Sequence, residues 1–343
     1  MYAFFRFRQA KQALVAPQQS ITANNGCYRI RSALEQILHD SLIIGPLAGR
    51  DTPKHYFLND YQASTFRCPF HRLLKSSILK YHPASRNLML TVISPAKTLD
   101  FDTSPTTSKN SRPLFTSHTS ALVDVMRKKS PKDLSKLMGI SPKLAALNVE
   151  RFQSFSPGSK KGKQALLAFK GDVYIGLEAE NYGERDFNFA QKNLRILSGL
   201  YGVLRPLDMI QPYRLEMGVR LKTNNYKTLY EFWGDEIGES LGIELSKHRN
   251  KTLVNLASIE YFKSVASSKL PGKVITPVFK DYSKGTYKVL GFFAKKARGS
   301  MASFIVKNRI SKPEDIKAFA EDGYEYNETY STDDNWVFTR KAS

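Results

Sequence analysis

The strongest local constraint on the fold lies in residues 130–155, SPKDLSKLMGISPKLAALNVERFQSF. Ser130 followed by Pro131 is a typical helix start, because serine caps the first turn and proline fits its first position. Ser141 followed by Pro142 repeats this pattern. Apolar residues follow both starts at helical spacing: Leu134, Leu137, Met138, Leu144, Leu147, Phe152 and Phe155. We therefore expect two short helices joined by a tight hairpin.

The stretch LMGISPKLA resembles the hairpin of helix-hairpin-helix DNA-binding modules, whose usual form is Leu-Pro-Gly-Ile-Gly-Pro-Lys followed by a small residue. Here Gly139 keeps the first glycine, while Met138 replaces the proline and Ser141 the second glycine. Glycine lets the backbone approach closely, and the amides and dipole at the start of the second helix hold a phosphate oxygen. The resemblance predicts a helix-hairpin-helix element at about residues 131–155, with Gly139, Ile140, Ser141 and Lys143 at the phosphate.

Basic residues are concentrated around this hairpin. Residues 127–163 contain ten lysines and arginines against Asp133 and Glu150. The alternative is an ordinary helix pair with a solvated basic face, which is what most charge runs are. A polyanion is still the first partner to consider, because 52 Lys and Arg against 31 Asp and Glu give the chain a net charge of +21. The lysines expected to strengthen a DNA contact are Lys132, Lys136, Lys160, Lys161 and Lys163.

The first 88 residues differ in character from the rest. They hold both cysteines and four of the six histidines, and they show no sustained helical or alternating pattern. Their arginine-bearing, acid-free start also suits a targeting segment, and a real accessory region is a further alternative. Met89, followed by the strand-like LTVI, is a natural start. We expect residues 1–88 to be a disordered extension or a start-site artefact, and residues 89–343 to form one domain.

Helical and strand patterns are mixed in this domain without regular alternation. Helical periodicity marks residues 119–200, 229–248 and 295–309. Strand patterns lie at 90–94, at 251–257, at 274–282 and 287–294 as a hairpin, and near 323–327 and 335–340. The patterns predict an α+β fold, a single mixed α/β domain, rather than a doubly wound sheet. The chain has no apolar run of about eighteen residues, so we expect no membrane partner.

Charged residues also follow several predicted elements outside the hairpin. We expect these loops to converge on a cleft, where lysines and arginines bind phosphate and carboxylates do acid-base work. The candidate catalytic residues are Lys97, Lys170, Asp172, Arg205 and Lys295, and Lys296 and Arg298 are further candidates for DNA contact. The alternatives are structural ion pairs among Asp208, Arg214 and Glu216, and a solvated helix start at AKKAR. With no HExxH motif and two histidines outside the extension, we expect no metal site and no cofactor.

Five longer stretches resemble the YaaA family of peroxide stress resistance proteins. They are LTVISPAKTLDF, LLAFKGDVYIGLEAE, LRILSGLYGVLRPLDMIQPYRLEMG, NLASIEYFKSV and FFAKKARGSM, and the match runs from Met89 almost to the end. The resemblance implies a cytoplasmic bacterial protein that limits free intracellular iron and the DNA damage it drives. It also implies DNA binding through a helix-hairpin-helix element beside a positively charged cleft, and it brings no established catalytic mechanism.

The sequence thus predicts a monomeric DNA-binding protein of the oxidative stress response, with no inferable protein partner. It would hold the backbone of duplex or structured DNA without strong sequence preference, because phosphate contacts position a protein and base contacts specify it. The alternative is a lyase-like or glycosylase-like enzyme acting on nucleic acid or a nucleotide, in which a desolvated lysine attacks a sugar carbon. Direct iron sequestration is a third hypothesis.

Overall fold

Eight of the described strands assemble into one main sheet, and helices lie between many of them along the chain. The computed structural model describes residues 89–159, 161–223, 225–265 and 270–341. The predictions for residues 1–88 and for Lys160 lie outside these residues. In the described part, no helix is both long enough and apolar enough to cross a membrane.

The described helices are α1 (Thr116–Arg127), α2 (Pro131–Met138), α3 (Pro142–Ser154), α4 (Ala165–Ala168), α5 (Asp172–Leu177), α6 (Glu184–Asn193), α7 (Leu229–Trp233), α8 (Glu236–Leu245), α9 (Ile259–Phe262) and α10 (Gly291–Lys307). The described strands are β1 (Leu90–Ile93), β2 (Thr98–Leu99), β3 (Lys163–Gln164), β4 (Phe169–Lys170), β5 (Leu194–Ser198), β6 (Gly202–Leu204), β7 (Met209–Ile210), β8 (Thr252–Leu256), β9 (Lys273–Ser283), β10 (Thr286–Lys288), β11 (Glu325–Tyr326) and β12 (Asn335–Lys341). Short 3₁₀ turns lie at Ala179–Asn181, Pro313–Ala318, Glu321–Gly323 and Glu328–Tyr330.

The main sheet is mixed and has a parallel centre. Its order is β11-β12-β9-β8-β1-β5-β6, and β10 pairs with β9. The pairs β12 with β9, β9 with β8, β8 with β1 and β1 with β5 are parallel. β6, β10 and β11 each pair antiparallel with their neighbours. The small sheets β2-β4 and β3-β7 lie apart from it.

The prediction of helices and strands mixed in a single domain is confirmed for the described residues, but its α+β arrangement missed the parallel centre. β1 ends at Ile93 and its partner β5 begins at Leu194, so the pairing spans a long helical segment. β1, β5 and β8 are buried along their whole length. Such continuously buried strands are typical of parallel sheets covered by helices on both faces.

Three predicted elements differ in their bounds. β5 lies inside the segment predicted as helical, because its short apolar run does not distinguish a buried strand from a helix. The predicted helix 229–248 is broken into α7 and α8 at Gly234, whose φ of 46° and ψ of −123° are not helical. The second hairpin strand ends at Lys288, and α10 begins at Gly291, earlier than predicted.

α10 is the helix that closes the region above the centre of the sheet. It packs against α5 and against β9, β8 and β1. Gly299 of α10 faces the Val173 carbonyl of α5, and Gly176 of α5 faces the Lys296 carbonyl of α10, so a Cβ atom at either glycine would collide with backbone. The two helices therefore approach more closely than larger side chains would permit.

Candidate functional site

The helix α2 has strong local start and stop signals. Ser130 Oγ accepts a hydrogen bond from the Asp133 amide at 3.2 Å, and the Asp133 carboxylate accepts one from the Ser130 amide at 3.0 Å, which completes a capping box. The pKa of Asp133 is lowered, chiefly by the hydrogen bond from the Ser130 side chain. Leu134 is the buried residue of this helix. α2 ends at Gly139, which has φ 62° and ψ 40°.

Two amides of the turn after α2 donate hydrogen bonds within the turn. The Gly139 and Ile140 amides both donate to the Ser135 carbonyl, the latter at 3.2 Å. Ser135 Oγ donates back to the Ile140 carbonyl, and the Ile140 side chain is buried. These two amides therefore donate within the turn and are not free donors. The hairpin does not offer every one of its amides to a phosphate.

The start of α3 offers amides that remain free. Ser141 Oγ accepts from the Leu144 amide at 3.3 Å, and Pro142 has no N–H. The Ser141 and Lys143 amides donate to no acceptor among the described residues. Both residues are exposed, and the space beside the Gly139 Cα is open. The hairpin thus presents two bare amides at the positive end of a 13-residue helix.

The predicted lysines divide into two groups. Lys132, Lys136, Lys143 and Lys161 are exposed. Lys163 lies in β3 and only 6% of its side chain is exposed, with Nζ 3.7 Å from Asp100 Oδ1. Since it already faces a carboxylate inside the fold, Lys163 does not lie on the exposed basic surface.

A second polar region lies where parallel strands end. Residues after β1 and β8 meet there, because the Ser258 amide donates to Ser94 Oγ at 2.8 Å. Ser198, the last residue of β5, shares a hydrogen bond of 2.7 Å with Tyr213 Oη. The carboxyl ends of parallel strands are the usual place for ligand sites in α/β sheets. The Tyr174 hydroxyl donates to the Ser94 carbonyl at 3.1 Å and ties α5 to this edge.

Glu216 is the central charge of this region. Arg214 Nη2 lies 3.0 Å and Lys97 Nζ 3.5 Å from its Oε1 atom. The whole residue is only 9% exposed, and its Oε2 atom is buried with no hydrogen-bond partner among the residues that the structure describes. The structural pairing expected for Arg214 and Glu216 is present, but it leaves one carboxylate oxygen unsatisfied.

Four of the five candidate catalytic residues lie around this edge. Lys170 pairs with Thr98 across β2 and β4, directly beside Lys97. Gly171 packs on Ala96, with 3.3 Å between an added Cβ and the alanine Cβ. Asp172 follows, and its Oδ2 atom lies 3.5 Å from Lys295 Nζ. Lys97 and Lys295 have side chains 68% and 58% exposed, and Lys170 is exposed as well, so none of the three lysines is desolvated.

Arg205, the fifth candidate, is held elsewhere. It donates to the buried Asp208 from Nη2 at 3.0 Å and to the Arg112 carbonyl at 2.7 Å. Burial raises the pKa of Asp208, and the positive charge of Arg205 opposes that rise. Arg205 also follows β6, whose last residue, Leu204, pairs antiparallel with Ile196 in the middle of β5. It therefore lies toward the amino end of β5, away from Lys97.

The two remaining DNA-contact candidates lie on α10. Lys296 Nζ lies 2.9 Å from Asp322 Oδ1. Arg298 is partly buried, burial lowers its pKa, and no described residue accepts a hydrogen bond from it. The tyrosines of this region are buried core residues: burial is the main cause that raises the pKa of Tyr174, Tyr213 and Tyr261. They are not placed to stack on bases.

Arg151 was not singled out as a site residue by the sequence. It lies on α3 between the buried residues Asn148 and Phe152, and it is partly buried. A lone arginine on an amphipathic helix is most simply explained as a surface residue, so only its partial burial distinguishes it. In the described part of the chain, no group of three or more His, Cys, Asp or Glu side chains is placed to hold a metal ion.

Comparisons with known proteins identify the same family as the five sequence stretches do. A family model described as peroxide stress protein YaaA matches residues 89–330. A UPF0246 protein of Teredinibacter turnerae is 54% identical over 255 residues, which are 74% of this chain and 100% of that protein. A UPF0246 protein of Saccharophagus degradans is 51% identical over the same shares of the two chains.

Proposed function

This chain belongs to the peroxide stress protein YaaA family, and on that premise we propose that it binds the DNA backbone through the turn between α2 and α3. The observation that carries the proposal is the pair of free amides, Ser141 and Lys143, at the exposed start of α3. Amides at a helix N-terminus and the positive end of its dipole bind phosphate oxygens. The turn therefore acts as a helix-hairpin-helix contact.

Four exposed lysines surround this contact and add long-range attraction: Lys132, Lys136, Lys143 and Lys161. Lys160 belongs to the same basic run. Lys163 is left out of the contact because it faces Asp100. Since the proposed donors are backbone amides and lysines, binding is expected to be sequence-independent. In the peroxide stress response, the protein would limit free intracellular iron and the DNA damage it drives.

The salt dependence of binding tests the proposal. The logarithm of the association constant for duplex DNA should fall with the logarithm of salt concentration, with a slope of about −0.9 for each phosphate neutralised. Gel-shift titrations across salt concentrations measure it, with duplex, bulged and junction DNA compared in parallel. A chain that retains no DNA at about 50 mM salt would exclude the proposal.

Charge reversal tests the location. Lys143→Glu should weaken duplex binding by about tenfold or more, because it places a negative charge beside the phosphate. Lys247→Glu is the matched control: Lys247 is exposed just after α8, and it precedes β8 at the opposite end from the carboxyl ends of the strands. Equal losses in both variants would mean that only overall charge matters.

A pair of variants at Ser141 separates the amide from the helix cap. Ser141→Ala removes the capping hydroxyl but keeps the N–H, whereas Ser141→Pro removes both. Ser141 has φ −62°, which proline adopts without strain. DNA binding should survive the alanine change and weaken with proline. If both variants bind equally well, the Ser141 amide does not contact phosphate.

The meeting of Lys97, Lys170, Asp172 and Lys295 favours a second candidate, an enzyme acting on nucleic acid or a nucleotide. The exposure of the three lysines argues against the version that needs a desolvated nucleophile. Borohydride trapping of a covalent complex with abasic DNA tests it, and failure to trap any complex removes lyase chemistry. Equilibrium dialysis with ferrous iron tests the third hypothesis, direct sequestration.

A further inference from the structure

Three tyrosines from separate elements touch on the β9-β10 hairpin. Tyr282 of β9 pairs with Tyr287 of β10, and the centroids of their rings lie 5.2 Å apart. Tyr330 comes from the 3₁₀ turn Glu328–Tyr330, and its ring centroid lies 5.6 Å from that of Tyr287. Both contacts are edge-to-face, an arrangement that the charge distribution of aromatic rings favours. The rings form one continuous surface, which we call the tyrosine face.

The tyrosine face is turned away from the core. Side chains alternate along β9, so Phe279 is buried whereas Lys280 and Tyr282 lie on the opposite side. Tyr282 is 44% exposed and Tyr330 is 48% exposed. A cross-strand aromatic pair by itself stabilises a hairpin, which accounts for Tyr282 and Tyr287. It does not account for Tyr330, an exposed ring added from another segment. Clustered exposed tyrosines are typical of binding surfaces.

Lysines border the tyrosine face. Lys280 Nζ lies over the Tyr330 ring, 5.3 Å from its centroid. Lys341 of β12 is directly opposite Tyr282 in the parallel pairing, so both side chains lie on the same side of the sheet. Lys284 is exposed in the turn that joins β9 to β10. Among the described residues, none of these three lysines pairs with a carboxylate. Three positive charges are therefore available beside the rings.

Two exposed acidic residues also belong to this side of the sheet or to its margin. Glu325 of β11 pairs with Thr339, which pairs in turn with Lys280, so Glu325 lies two strands, about 10 Å, from that lysine. Glu328 belongs to the same 3₁₀ turn as Tyr330. The lysines outnumber the carboxylates, so the surface complements an anion better than a cation.

We propose that the tyrosine face binds single-stranded DNA, with bases stacked on the exposed rings of Tyr282 and Tyr330 and with the three lysines at the phosphates. Every base has a π-face, so stacking on aromatic rings tolerates any sequence, and lysines follow the backbone. Bases inside a duplex are covered by their neighbours, so only unpaired bases reach the rings. The contact is separate from the turn between α2 and α3, but the choice of DNA over RNA rests on the proposed function.

Fluorescence anisotropy of labelled oligothymidine with the full chain tests the tyrosine face. The salt concentration is about 150 mM, at which exposed charges more than about 8 Å apart are screened. The double variant Tyr282→Ala with Tyr330→Ala should bind about tenfold or more weakly, because the stacked bases lose their rings. The double variant Tyr282→Phe with Tyr330→Phe keeps both rings and should bind like the unchanged chain. Tyr226→Ala is the control, since Tyr226 is exposed and contacts Phe232 instead.

An abasic oligonucleotide of equal length separates stacking from charge. It carries the phosphates without the bases, so it should bind about tenfold or more weakly than oligothymidine. Tm of each variant checks folding, and the single variant Tyr330→Ala, which leaves the hairpin pair intact, is used if the double one does not fold. Lys143→Glu should lose duplex binding and keep the difference between oligothymidine and the abasic strand. The double alanine variant should keep duplex binding, so the two contacts can fail separately.

Three results would overturn the proposal. They are equal binding of oligothymidine and the abasic strand, equal affinity of the double alanine variant and the unchanged chain, and tighter binding of oligouridine RNA than of oligothymidine. Self-association that the double alanine variant abolishes, without binding of oligothymidine, would also overturn it and would make the tyrosine face a protein interface.

Discussion

Lys163 Nζ lies 3.7 Å from Asp100 Oδ1, and this ion pair places a lysine of the basic run inside the fold. Asp100 Oδ1 also accepts hydrogen bonds from the Asp102 and Thr103 amides, both at 3.0 Å. The carboxylate therefore serves the fold by closing the turn after β2 and by neutralising Lys163.

The ionisation of Asp100 makes the stability of the protein depend on pH. Hydrogen bonds from Thr103 and then the Lys163 charge hold the pKa of Asp100 at about 2. An unfolded aspartate has a pKa of about 3.9. The folded-state pKa is depressed, so this stabilisation is complete above about pH 4 and is lost as pH falls through about 2. Urea unfolding between pH 5 and 2 should show a smaller pH-dependent loss in Asp100→Asn than in the unchanged chain. Identical slopes would contradict it.

The pairing of Lys163 with Asp100 also bears on DNA binding. Lys163→Met should leave the DNA affinity and its salt slope unchanged, because the lysine faces Asp100 rather than solvent. Lys161→Met, at an exposed lysine two residues away, should reduce the magnitude of the slope by about one unit. Gel-shift titrations of both variants measure the difference. A loss of affinity in Lys163→Met at unchanged Tm would show that Lys163 contacts DNA.

Gly139→Ala should destabilise the protein through backbone strain alone. Gly139 has φ 62°, and an added Cβ would meet nothing within 4 Å. The left-handed conformation costs an alanine about 1–2 kcal/mol, and asparagine tolerates it better. Urea unfolding should therefore rank the chain with glycine above Gly139→Asn, and Gly139→Asn above Gly139→Ala. Equal stability of the two variants would argue against strain as the cause.

Gly299→Ala should lower the free energy of unfolding by more than Gly139→Ala does, for a different reason. Its Cβ would collide with the Val173 carbonyl oxygen, which belongs to backbone and cannot rotate away. Overpacking of this kind costs about 1–3 kcal/mol, and α10 would have to move from α5. Gly291→Ala is the matched control, because it lies on the same helix with open space around it. Urea unfolding compares the two, and a similar loss in both would contradict close helix packing.

Asp281 anchors the last strand to β9. It is 1% exposed, and it accepts hydrogen bonds from Arg340 Nε at 2.8 Å and from the Tyr324 hydroxyl at 2.9 Å. Asp281→Asn leaves Arg340 without its carboxylate and should cost about 3 kcal/mol in free energy of unfolding. Asp322→Asn breaks the more exposed pair with Lys296 and should cost under about 1 kcal/mol. A larger loss of stability in Asp322→Asn than in Asp281→Asn would contradict the role of Asp281 as an anchor of the last strand.

The helix pair α2 and α3 shows why some of the fold can be predicted. Its starts depend on Ser130 and Ser141, whose hydroxyls accept from amides three residues later, and its stop depends on Gly139. All these interactions are local, so sequence spacing is enough to find them. Short apolar runs also predict the buried strands β1 and β8. The apolar run of β5 follows a helical pattern directly, so it does not distinguish a strand from a helix.

The sequence by itself determined the capped helices, strand β9 with the turn that follows it, the basic run and the family. Only the tertiary structure decided which charges meet: Lys163 with Asp100, Arg205 with Asp208, and Lys97 with Glu216. The reason is physical. Caps and turns depend on neighbours along the chain, whereas burial and ion pairing depend on strands and loops far apart in sequence, which only the assembled sheet brings together.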